Sequence, residues 1–152
     1  MASTIASIAL PVAAGHVWQL IGGFNSLPAW LPYIPHSELS EGGRVRTLAN
    51  PSGEAIVERL EVFNDEERYY SYSIMQAPFQ AKNYYATLRV TADGDSASVV
   101  EWSGSFTPVG VSEQEITQHF HGIYTDGLQA LKEKITAISA QGVAAGRDIV
   151  NA

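Results

Sequence analysis

The sequence predicts an α+β domain: a curved antiparallel sheet of about seven strands wrapped around one long C-terminal helix, with two short helices after the first strand. Three observations lead there. Short runs of alternating apolar residues are separated by strong turn signals, a single apolar stripe at helical spacing follows them, and 152 residues with 45% hydrophobic content suit one core. The expected division is one domain over residues 1–140 and a C-terminal tail over 141–152.

From Thr4 to Leu10, Ala6, Ile8 and Leu10 alternate with Ile5, Ser7 and Ala9 until Pro11 ends the strand. Val17, Trp18, Leu20 and Ile21 recur at helical spacing between Val12 and Phe24, and Gly22-Gly23 closes that helix. A shorter helical turn is expected over Ser26 to Leu31, with Ser26 as its cap and Pro28 in its first turn. Six strands follow, about His36 to Leu39, Arg44 to Ala49, Ala55 to Phe63, Arg68 to Met75, Tyr84 to Thr91 and Ser96 to Thr107. Turn sequences such as Asn50-Pro51-Ser52-Gly53 and Asp93-Gly94-Asp95 join them as an antiparallel meander. Beyond Pro108, Ile116, Phe120, Ile123, Leu128, Leu131 and Ile135 form one stripe of a helix running from about Ser112, its N-cap, to Ser139.

Composition removes several classes of function. Nine Lys and Arg against 16 Asp and Glu give a net charge of -7, and three lysines cannot build a polyanion-binding surface, so no nucleic-acid partner is expected. No cysteine means no disulfide and no thiolate chemistry. His119 and His121 stand two apart on the helix, with His16 and His36 distant in sequence, so no metal and no other cofactor is expected. No apolar run is long enough for a membrane span, and the first residues lack the basic region of a signal peptide. The expected location is cytoplasmic.

A sheet curling around a helix that buries one stripe leaves a concavity suited to an apolar ligand. Period-two alternation assigns the inner face to Ile56, Glu58, Leu60 and Val62, to Tyr70, Tyr72 and Ile74, to Tyr84, Ala86, Leu88 and Val90, and to Val100, Trp102, Gly104 and Phe106. Arg44, Arg46 and Leu48 share a face on an earlier strand. Glu58 is the anomaly, a carboxylate in an apolar row, and face alternation sets it beside Arg46 on the neighbouring strand. The aromatics are either core or a cavity wall; several buried tyrosines on one face need partners for their hydroxyls, which points to water or ligand inside. Arg46, Glu58 and Tyr72 are the candidate catalytic residues. Trp30, Tyr70, Tyr84, Phe79, Trp102, Phe106, His119, Phe120 and Ile123 are the candidate ligand contacts, with Phe79 in a mouth loop over Gln76 to Asn83 as either a gate or a side chain folded on the sheet edge.

The run from Val17 to Pro32 (VWQLIGGFNSLPAWLP), then Arg46-Thr47-Leu48, Glu58-Arg59-Leu60, Tyr72 and Val100-Glu101-Trp102, resembles the polyketide cyclase/dehydrase and lipid-transport branch of the START-like (SRPBCC) superfamily. The resemblance covers about Ile5 to Ile135. It implies the helix-grip fold of the birch-pollen allergen and a cavity-bound small hydrophobic ligand as partner, with a homodimer left open.

Three functions are compatible with that resemblance. One is a binding or carrier protein for a small hydrophobic or aromatic, polyketide- or lipid-like ligand. Another is a cyclase or dehydratase in which cavity acid-base residues move a proton next to a carbonyl, a lyase or isomerase without metal or nucleotide cofactor. The third is a regulatory or stress-related module with a vestigial cavity. Arg46 and Glu58 are correspondingly either ligand-binding groups or a satisfied pair that fixes strand register.

Overall fold

A computed structural model describes the backbone of residues 1–151 and the side chains of residues 1–138. Alternation over Ala2–Leu10 makes strand β1, with Ala2, Ala6 and Leu10 buried. Helix α1, Ala14–Ile21, buries Val17, Trp18 and Ile21 and stops at Gly22, where a Cβ would stand 2.5 Å from the Trp18 ring. Helix α2, Leu27–Trp30, carries Pro28 in its first turn. Ser26 does not cap it. Its backbone is already helical and its hydroxyl donates to the Ile21 carbonyl at 3.2 Å, so that oxygen serves the end of α1.

The remaining strands are β2 (His36–Ser40), β3 (Val45–Ala49), β4 (Ala55–Asn64), β5 (Tyr69–Gln76), β6 (Ala81–Ala92) and β7 (Ser98–Pro108), with a 3-10 turn at Glu41–Gly43. They form one seven-stranded antiparallel sheet in the order β1-β7-β6-β5-β4-β3-β2. Tight connections pair each strand from β2 to β6 with its successor, and β1 closes on the free edge of β7.

Helix α3, Glu113–Asn151, begins where the Ser112 hydroxyl accepts the Glu115 N–H at 3.1 Å, so the expected cap is present. Its principal neighbours in the sheet are β1 and β7. Ile116, Phe120, Leu128, Leu131 and Ile135 are buried as the stripe requires. Ile123 is half-buried, and Tyr124, absent from the expected stripe, is fully buried. The side chains of the expected tail, residues 141–152, lie outside the described residues.

The structure departs from the sequence expectations at four places, each for a local reason. Arg44 precedes β3 and is exposed, because the 3-10 turn leaves it in a helical conformation. A bulge between Leu60 and Val62 adds Glu61 to β4, so the faces exchange: Val62 is exposed and Phe63 turns toward the Trp18 ring, 5.8 Å away. Arg68 adopts φ +59 and belongs to the turn before β5. The expected mouth loop is shorter, because Ala81, Lys82 and Asn83 already belong to β6.

Candidate functional site

The anomalous carboxylate of β4 faces the anomalous guanidinium of β3. Arg46 and Glu58 are direct register partners, because the hairpin of Asn50 to Glu54 sets two inward-facing positions opposite each other. Both are buried, at 1% and 6% exposure, and Arg46 Nε donates to Glu58 Oε1 at 2.7 Å. Arg46 Nη1 also donates to the Phe24 carbonyl at 2.9 Å and to the Tyr70 hydroxyl at 3.2 Å. The guanidinium lies over three aromatic faces, 4.2 Å from the Phe24 ring centre, 4.8 Å from Tyr72 and 5.5 Å from Tyr70. Among the described residues, no donor reaches Glu58 Oε2.

Burial pushes the Glu58 carboxyl above the ordinary carboxylate range, and the Arg46 contact pulls it part of the way back. Burial acts to lower the Arg46 pKa, but Tyr70, Glu58 and Tyr72 outweigh it and raise the pKa, so the guanidinium stays charged. The Tyr72 hydroxyl is pushed up by burial and then by the Glu58 charge. It therefore stays protonated, and it accepts the Trp102 Nε1 proton at 3.0 Å. Its own proton has no acceptor among the described residues.

A second tyrosine pair sits beside Tyr72. Tyr84 and Tyr124 share a hydrogen bond, and burial first among the causes raises both hydroxyls. Tyr124 reaches this position across Gly104, where a Cβ would stand 2.1 Å from its hydroxyl, and its ring stacks on Trp102 at 4.9 Å. The partner that the buried tyrosines require is thus in part another tyrosine.

These groups border a pocket of about 170 Å³ between the inner sheet face and α3. Of the expected site residues, Arg46, Glu58, Tyr72, Phe79, Tyr84, Trp102, Phe120 and Ile123 line it. Four do not. Tyr70 lies behind Arg46, Phe106 stacks behind Tyr84, Trp30 backs Trp102 at 5.9 Å, and exposed His119 flanks Phe79 at 5.5 Å on the outer side. The wall also includes Ile56 and Ile74, which alternation sets on the inner face, and Leu48, which shares the face of Arg46; Leu27, Leu31, Tyr33 and Ile34 are lining residues that sequence reasoning missed. The α2 residues and the loop after them offer no period to read, whereas Tyr124 was legible as the fourth-residue step between Phe120 and Leu128. Phe79 borders this pocket and two outer depressions at once. Among the described residues, no cluster of three acidic, histidine or cysteine side chains is placed to hold a metal, and no helix is long and apolar enough to cross a membrane.

A family model described as polyketide cyclase / dehydrase and lipid transport matches residues 1–136. The protein XoxI from Bacillus cereus is 59% identical, with 91% of this chain and 99% of that chain covered and a TM-score of 0.88. A protein from Bacillus thuringiensis is 62% identical over 87% of this chain and 97% of its own, with a TM-score of 0.85. A START superfamily protein from Mycobacterium smegmatis shares the fold at 10% identity, with a TM-score of 0.74 over 90% of this chain and 98% of its own.

Proposed function

The chain belongs to the polyketide cyclase/dehydrase and lipid transport family, and on that premise we propose that it binds a small hydrophobic or aromatic ligand in the pocket between sheet and α3. The carrying observation is the wall itself: apolar and aromatic side chains surround one buried polar corner made by Arg46, Glu58 and Tyr72. Such a site takes binding free energy from desolvating the ligand and orientation from a few fixed polar groups. Native mass spectrometry of the protein purified from its own host tests this. A retained organic mass is the expected result. A bare chain that also takes up no apolar probe contradicts it.

A second reading, a cyclase or dehydratase, is favoured by one feature. Glu58 has a free oxygen, a carboxyl pushed upward by burial, and the protonated Tyr72 hydroxyl as its electrostatic neighbour. A carboxyl so placed can remove a proton next to a ligand carbonyl while a hydroxyl stabilises the developing oxyanion. Deuterium exchange at that carbon, abolished in Glu58→Gln, is the result this reading expects. Exchange no faster than in buffer excludes it.

A further inference from the structure

We propose that the pocket selects a neutral, single-ring compound bearing a hydroxyl, phenol-like in size and polarity, with the ring among the apolar wall residues and the hydroxyl between Glu58 Oε2 and the Tyr72 hydroxyl. This deepens the reading of the chain as a ligand-binding protein and rests on it.

Size comes first. A cavity of about 150 Å³ holds benzene, whereas pockets for drug-sized ligands run from about 300 to 1,000 Å³. At about 170 Å³ the space here is close to that needed by one ring.

Charge comes next. Arg46 alone would attract an anion, but its Nε is bonded to Glu58 and its Nη1 to the Phe24 carbonyl and the Tyr70 hydroxyl, which leaves Nη2 as its one nitrogen without a partner among the described residues. The pair carries no net charge. A ligand carboxylate entering the corner would meet the Glu58 carboxylate as well as the guanidinium, and it would lose its hydration for a cation whose charge Glu58 already balances.

Hydrogen-bond complementarity sets the last requirement. On Glu58, which lines the pocket, Oε2 meets no donor among the described residues, and the buried Tyr72 hydroxyl is a donor whose acceptor function is already used by Trp102. One hydroxyl group satisfies both, donating to Oε2 and accepting from Tyr72. A ring without that hydroxyl leaves both unsatisfied, and burying them unpaired is costly.

Affinities of the full chain for phenol, toluene, benzoate and 1-naphthol, read by titration calorimetry or ligand-observed NMR, test the proposal. Phenol is expected to bind at least tenfold tighter than toluene, its isostere without the donor, and at least tenfold tighter than benzoate; 1-naphthol gains nothing from its second ring. Glu58→Gln and Tyr72→Phe should each shrink the phenol-to-toluene ratio toward one. Equal binding of toluene, tighter binding of benzoate, or a strong preference for 1-naphthol would each overturn the proposal while leaving a ligand-binding protein. If none of the four binds and larger apolar probes also fail, the underlying reading falls with it. The four affinities on the unaltered chain decide the matter even if a variant does not fold.

Discussion

Two ends of one sheet face the same helix and finish differently. Toward β1 and β7, the residues under α3 include Ala2, Ala6 and Gly104, and the helix settles against the strands with Tyr124, Leu128 and Leu131 fully buried. Toward β3, β4 and β5, the inward positions hold Arg46, Leu48, Glu58, Tyr72 and Ile74, and a pocket remains. Small residues let a helix approach; large and polar ones hold it off. The hollow is set by side-chain size and by a buried pair in which hydrocarbon in place of either partner alone would strand the other's charge.

The largest expected effect lies at the packed end. Leu128→Ala should cost about 2 to 5 kcal/mol in denaturant titration, because a fully buried side chain leaves a void that its neighbours cannot fill. A loss under ~0.5 kcal/mol would mean that the helix does not seat there. Gly104→Ala should cost about 1 to 3 kcal/mol through overpacking, since the new Cβ meets the Tyr124 hydroxyl in a buried hydrogen bond. Ile123→Ala, five residues from Leu128 on the same helix but half-buried on the pocket wall, should cost only about 1 kcal/mol and leave a larger pocket. Equal costs for Ile123→Ala and Leu128→Ala would erase the distinction between the two ends.

The polar corner predicts a pH dependence. Burial raises the folded-state pKa of Glu58 above its ordinary 4.5, so its stabilising contribution is present below that value and is lost as pH rises through the raised one. Glu58→Gln keeps the shape without the titration. The stability of the original chain relative to that variant should therefore decline as pH increases from 4.5, and a rise over the same window contradicts the assignment. Phe79 is half-buried against Phe120, so Phe79→Ala should cost about 1 kcal/mol, as Ile123→Ala does, with faster uptake and release of an apolar fluorescent probe. If both rates stay unchanged, Phe79 is no gate.

The same comparison explains which features were legible in the sequence. Arg46 and Glu58 could be placed together because an unbroken alternation and one tight turn fix the register between them. Val62 was misplaced because a bulge leaves no mark in the alternation when both flanking residues are apolar. The Tyr84 and Tyr124 pair needs a glycine on a third element, a complementarity among residues 20 and 40 positions from Tyr84 that no local pattern carries. Leu27 reaches the wall from the four-residue helix α2, too short to show a period of 3.6, and Leu31 and Ile34 reach it from irregular backbone, where no period applies.

Methyl NMR of the leucine and isoleucine side chains, with toluene or phenol titrated into the full chain, compares the two ends directly. The methyls of Leu48, Ile56 and Ile74 line the pocket, and those of Leu128 and Leu131 mark the packed end. The pocket methyls should shift on saturation while Leu128 and Leu131 stay in place. Shifts confined to Leu128 and Leu131, or none at the pocket methyls at a concentration where binding is measured independently, would contradict a ligand site beneath Arg46 and Glu58.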